Sequence, residues 1–231
     1  MPKLIEIIGS PGSGKTFISS KLQLLKINNE QVYFHSGRWK NLSKFKNLNF
    51  LSKFFIKLKV IINIIFFYFI FNKRLFFKKF YKRNFFFRII LLIYRDLVSI
   101  ELLKKTLSDD KYLIMEPGII MFFLQDYFYS NKNITKKDMS IFNKFFLKAD
   151  YIICTDCDFD LSIKRLELRK RGLPQRMKDF NIDEVKQTVK KSNKVIFEYI
   201  SNHKNLNSKI IKIDTSNEFN KIKNEILNEL N

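Results

Sequence analysis

Five short stretches of this chain are predominantly apolar: Lys3–Ile8, Gln31–His35, Lys111–Glu116, Asp150–Asp156 and Lys209–Asp214, each bounded by polar or turn residues. Runs of that length and composition suit strands covered on both faces, as in a parallel sheet. Segments of helical length separate them, and the alternation predicts βαβ units in an α/β fold. The final helix reads most plainly. Phe219, Ile222, Ile226, Leu227 and Leu230 recur at helical spacing behind Thr215-Ser216-Asn217-Glu218, which predicts a capping box.

Residues 41–95 break this rhythm. They carry 13 Lys or Arg and no acid, and hold 14 of the 26 phenylalanines. The most apolar part, Val60–Phe71, is 12 residues interrupted by Asn63, shorter than the roughly 20 that span a bilayer. From Phe71 to Arg83 basic and apolar positions intermingle around a helical wheel, so no clean interfacial helix is predicted there. The segment 41–108 is therefore read as a helical, Phe/Lys-rich insertion between the second and third strands.

The full chain of 231 residues has a net charge of +21. Its length suits one domain over 1–231, and no internal repeat divides it. The charge favours anionic partners, although the abundance of Lys, Asn, Ile and Phe also matches an AT-rich gene. The start runs directly into a strand, and two cysteines do not make a disulfide framework, so a cytoplasmic location is expected. Cys154 and Cys157 form a C-x-x-C, but a lone pair supplies only two of zinc's usual four ligands. A small apolar residue ending a buried strand is the better account of Cys154.

The strongest chemical signal follows the first strand. Gly9-Ser10-Pro11-Gly12-Ser13-Gly14-Lys15-Thr16 fits G-x-x-x-x-G-K-[ST], with a strand before it and a helix after. The glycines let successive amides converge on an anion, and the helix adds its positive end. In such a loop Lys15 reaches the β- and γ-phosphates while Thr16 offers its hydroxyl to Mg²⁺. A nucleoside triphosphate site with ATP and Mg²⁺ is the expectation.

With that loop and the features described next, the chain resembles the P-loop kinases of nucleotides and small molecules, related to thymidylate, adenylate and deoxynucleoside kinases. In pattern it is most similar to thymidylate-kinase-like proteins met among bacterial surface-glycan genes. The resemblance covers residues 1–40 and 109–231. It implies a P-loop NTPase fold with a five-stranded parallel sheet flanked by helices.

An arginine-rich stretch at 158–178 resembles the mobile lid of those kinases. Its helix is expected to start at Asp158 or Asp160, with Arg165 and Arg169 on one face and Arg171 and Arg176 flanking the Gly172–Pro174 break. The resemblance puts Arg165 near the adenine and the later arginines on phosphates. Glu116, ending the third strand, resembles the acid that holds Mg²⁺ or its waters, or the general base for an acceptor hydroxyl. Asp214 and Thr215, after the last strand, match a loop bordering adenine. His35 and Arg38 lie past the second strand, where the crevice of such a sheet opens, and with Gln125 are candidates for the acceptor.

The expected activity is transfer of the γ-phosphoryl group of ATP to a small, anionic acceptor: a nucleotide, a nucleoside or a sugar or surface-glycan precursor. The alternative is a P-loop ATPase or nucleotide-binding module at a nucleic-acid or anionic membrane surface. Thr135-Lys136-Lys137-Asp138 fits the guanine-binding string N/T-K-x-D but does not follow a predicted strand. No D-x-x-G follows the third strand, and no nucleic-acid recognition motif is present. Peripheral contact with the inner face of a membrane through 41–95 remains open, as does the homodimer common among related kinases.

Overall fold

The computed structural model describes residues 2–23, 26–27, 30–35, 49–72, 83–109, 111–116, 118–129, 133–145, 149–170, 172–202 and 208–230. Six strands appear among them: β1 (Lys3–Gly9), β2 (Lys26–Ile27), β3 (Glu30–His35), β4 (Tyr112–Met115), β5 (Tyr151–Asp156) and β6 (Lys209–Asp214). They form one sheet in the order β2-β3-β4-β1-β5-β6. The strand count is six rather than the expected five. Lys26–Ile27 folds back antiparallel on Glu30–Gln31, making a short edge that no apolar run announces. All other neighbours pair in parallel.

The helices are α1 (Lys15–Leu22), α2 (Phe50–Asn72), α3 (Arg83–Thr106), α4 (Ile119–Phe128), α5 (Lys136–Phe145), α6 (Phe159–Glu167), α7 (Ile182–Asn202) and α8 (Phe219–Leu230). Strand alternation sorts them onto two faces. Ile5 and Ile7 of β1 join Ile114, Ile153, Ile211 and Ile213 in a cluster closed by Ile18 and Leu22 of α1 and Ile222, Ile226 and Leu230 of α8. Leu4 and Ile8 point the other way, into a larger cluster with α3, α4, α5 and α7. The buried runs are long enough on both sides to hold the sheet by apolar burial at about 25 cal/mol per Å². Helices α2 and α3 come between β3 and β4 in the chain, and Ile56 and Val60 of α2 join the larger cluster.

Helix caps depart from the sequence reading. Helix α8 begins at Phe219, beyond Glu218, so Thr215–Glu218 is not its capping box. Instead Asp214 Oδ1 accepts from the amide and hydroxyl of Ser216, at 2.9 and 2.6 Å. Reciprocal boxes form elsewhere. Asn181 and Glu184 exchange side-chain-to-amide bonds at 2.9 Å before α7. Thr135 and Asp138 do the same at 3.1 Å before α5.

Candidate functional site

Strand β1 lies between β4 and β5. The chain leaving β1 runs toward β3 and the chain leaving β5 runs the other way to β6, so the carboxyl ends of β1 and β5 open on a crevice. The chain leaves β1 at Gly9 and re-enters regular structure at Lys15. Gly12 and Gly14 take φ of 84° and 85°, the left-handed region that glycine occupies without a Cβ penalty. Gly9 is needed for space, since a methyl group there would collide with the Thr155 and Ser13 hydroxyls. Those two hydroxyls lie 2.7 Å apart, so β5 braces the loop from the side. Lys15 Nζ donates to the carbonyls of Gly9 at 2.8 Å and Ser10 at 2.6 Å. Burial pulls its ammonium down to about 8, with Glu116 opposing and Arg169 reinforcing the shift. Loop and α1 terminus together form a cradle suited to an anion.

Pairing of β1 with β4 carries Glu116 to this cradle from a hundred residues away. Its carboxylate accepts from Thr16 Oγ1 at 3.2 Å and from Ser19 Oγ at 3.3 Å. Ser19 is absent from the sequence reading. The available signal is its position one helical turn after Thr16, which puts both hydroxyls on the same face. A hydroxyl and a carboxylate are hard oxygen donors, and Mg²⁺ binds through one or two protein oxygens while keeping water and phosphate ligands. Thr16 and Glu116 fit that ion.

Glu6 is a second acid the sequence reading passes over. It is fully buried in β1, on the face toward α4, and Oε1 accepts from the amide of Met121 at 3.1 Å. Burial pushes its carboxyl up to about 8, while the amides of Met121, Ile120 and Ile119 pull it back. Glu6 thus satisfies one of the free amides in the first turn of α4. A methyl at Gly118 would strike the Glu6 carboxyl, so this turn needs glycine for lack of space. The pair fixes the turn that follows Glu116.

Helix α6 starts after Asp158, whose Oδ1 accepts from Asp160 and Leu161 amides at 2.9 and 3.1 Å, as one of the two expected starts requires. Arg165 reaches across to Thr215, donating to Oγ1 at 2.9 Å and to the carbonyl at 2.8 Å. Thr215 Oγ1 also lies 2.9 Å from the Ser13 carbonyl and 3.0 Å from that of Asp156. The hydroxyl therefore joins phosphate loop, β5 end and lid helix, in place of the capping role.

A cavity of about 620 Å³ lies at this junction. Pro11, Gly12, Gly14, Lys15, Thr16, Glu116, Arg165 and Arg169 line it from the loop and lid, and Met121, Gln125, Phe128 and Tyr129 from α4. Arg176 takes a different position. Its guanidinium lies 3.7 Å from Asp126 Oδ1 and over the Tyr129 ring, 5.4 Å from the centroid, holding the lid turn against α4. Ser10 and Asp214 line a second cavity of about 470 Å³ with Cys154 and Lys212. His35 ends β3 opposite Met115 in the backbone register. Arg38 and Arg171 fall outside the described residues.

Both cysteines are free and buried. Burial raises the Cys154 thiol to about 12, which leaves it unreactive near neutrality. Cys157 Sγ sits 2.8 Å from Ser162 Oγ, a packing contact under the lid helix.

No protein-family profile and no curated protein sequence matches the chain. Solved structures do. Deoxyadenosine kinase from M. mycoides with bound dATP aligns at a TM-score of 0.55 and 14% identity, covering 99% of this chain and 98% of that one. The same enzyme with products dCMP and a flexible dCDP aligns at 0.52 and 14%, covering 98% and 97%. Such coverage takes in 41–108, the segment that the sequence resemblance leaves unmatched. At this identity the likeness is one of fold, and the chain shares the architecture of these deoxyadenosine kinases along nearly its whole length.

Proposed function

We propose that the chain is an ATP- and Mg²⁺-dependent kinase that phosphorylates a small molecule, a nucleoside or nucleotide in particular. One observation carries this reading: the cradle around Lys15, the Thr16–Glu116 pair and Arg169 border the same cavity as an aromatic wall on α4. A donor alone needs only the first half of that cavity. The α4 half offers Phe128 and Tyr129 as flat apolar surface and Gln125 as an amide donor and acceptor, a chemistry that suits a nucleobase. The shared fold with deoxyadenosine kinases supports the same class. The α4 wall also favours a kinase over an ATPase working at a nucleic-acid or membrane surface, which has no use for an acceptor pocket.

In this reading the backbone amides of residues 9–14 and Lys15 hold the β- and γ-phosphates. Thr16 and Glu116 hold Mg²⁺, which when bound would neutralise charge on the phosphate oxygens. Arg169 supplies positive charge where it develops on the moving group. Arg165, tied to Thr215, forms the floor of the purine site. Arg176 keeps the lid, 158–178, seated on α4. The acceptor oxygen attacks the γ-phosphorus while a hydroxyl acceptor's proton passes to Glu116 or to water, the bond to the bridging oxygen breaks, and ADP leaves. His35, Arg38 and the segment 41–108 complete the acceptor side.

The test is ADP release by the purified chain against a panel of nucleosides, nucleoside monophosphates and sugars. Acceptor-dependent turnover is expected with a nucleoside or nucleotide. Lys15→Ala should reduce it by about 10³-fold or more with circular dichroism unchanged. Unchanged turnover in that variant would remove this loop from the chemistry.

A further inference from the structure

Helix α2 carries apolar residues on two faces. Ile56 and Val60 point inward, buried against the body of the protein. Eight other large apolar side chains between Phe50 and Ile65 point outward, each at least 40% exposed. Phe50, Leu51, Phe54, Phe55, Ile62 and Ile65 mark the stripe, and Phe50 is 79% exposed. At 100° per residue the eight fall within an arc of about 140°, with no charged residue inside it. Lys57 borders one edge and Lys59 the other, both exposed. Lys59 reaches Glu101 only at 3.9 Å, with two-thirds of its side chain in solvent, so it stays available. Scattered exposed apolar residues need no explanation, but a continuous stripe over four turns does.

We propose that this outward face of α2 docks on the surface of an anionic lipid bilayer. The stripe supplies the apolar face of an interfacial helix, and lysines at its borders can lay their stems along it while their ammonium groups meet headgroup phosphates. The surrounding charge fits the same partner. Residues 41–95 hold 13 of the chain's 43 basic residues and none of its 22 acids. Such an unbalanced segment is drawn to a negative surface and repelled by a second copy of itself. No helix among the described residues is long and apolar enough to cross a membrane, so the contact lies in the plane of the surface. This inference does not depend on the kinase reading.

The full chain would be co-sedimented with vesicles of phosphatidylglycerol and phosphatidylcholine, and with phosphatidylcholine alone, at low and high salt. Binding is expected to the anionic vesicles at low salt and to weaken about tenfold on neutral vesicles or in high salt. The double substitution Phe54→Ser and Phe55→Ser lies on exposed positions and should leave circular dichroism and the thermal midpoint unchanged. It should also weaken anionic-vesicle binding by about tenfold. Absence of binding to either vesicle, or equal binding by the folded variant, overturns the proposal. So does light scattering that finds a dimer for the native chain and a monomer for the variant, with no vesicle binding by either, because the occupant is then a second copy.

Discussion

An ammonium that is to meet a polyphosphate is stored here against two backbone carbonyls. Burial lowers Lys15 to about 8, so it is mostly charged at neutral pH and loses its proton as pH rises past that value. A bound polyphosphate favours the charged form and moves the value up. Nucleotide binding should therefore take up almost no proton at pH 6.5 and about half a proton or more at pH 8.5. Affinity should fall across the same interval. Calorimetry in buffers of different ionisation enthalpy measures the uptake, and a flat profile would show that Lys15 does not titrate on binding. The loop itself was legible because eight adjacent residues carry the whole pattern. Glu6 and Ser19 were not, since each gains its role only from a partner more than 90 residues away, Met121 for one and Glu116 for the other. A carboxylate alone in an otherwise apolar strand is the one trace Glu6 leaves in the sequence.

Elements were legible in proportion to how local their cause is. Strand positions followed from short, predominantly apolar runs, and the α6 start from an acid whose side chain caps its own helix. The Thr215–Glu218 box failed for the opposite reason. Its residue types permit a cap, but tertiary bonds to Ser13, Asp156 and Arg165 claim the Thr215 hydroxyl. Arg176 shows the same limit, because a guanidinium expected among phosphates instead meets Asp126 on α4. For the Asp126 carboxylate the cost of burial outweighs the pull of Arg176, and the carboxyl is pushed up to about 6. A folded value above the unfolded one means that the stability linked to this group is complete below about pH 4 and is lost as pH rises through 6. Asp126→Asn is thus expected to raise stability at pH 8 by about 1 kcal/mol and to match the native chain near pH 4. Thermal denaturation at the two pH values tests it, and a lower midpoint for the variant at pH 8 would make the ion pair a net support.

At the scale of the whole molecule, the site depends on β1, β5 and β6 ending side by side, so that residues near 13, 156, 165 and 215 meet. One hydroxyl joins all four, and Thr215 also packs against Gly14, where even a methyl would be tight. Replacing Thr215 by Val keeps the shape and removes only the oxygen. The hydroxyl proton shared between the Ser13 and Asp156 carbonyls, and the acceptor of one Arg165 nitrogen, would then be lost in a largely buried place while the Thr215 amide still donates to Asp156 at 2.8 Å, at a cost of about 1–3 kcal/mol. Because that cost falls on the contact between loop and lid, it should appear twice. The thermal midpoint should drop, and ATP affinity should weaken by about tenfold. Hydrogen exchange separates this from general loosening: amides of the phosphate loop and α6 should exchange faster while those of α5, which contributes no residue to the cavity between loop and lid, keep their protection. Uniform acceleration across the chain would mean that Thr215 serves overall stability alone, and that loop and lid are held together by other bonds.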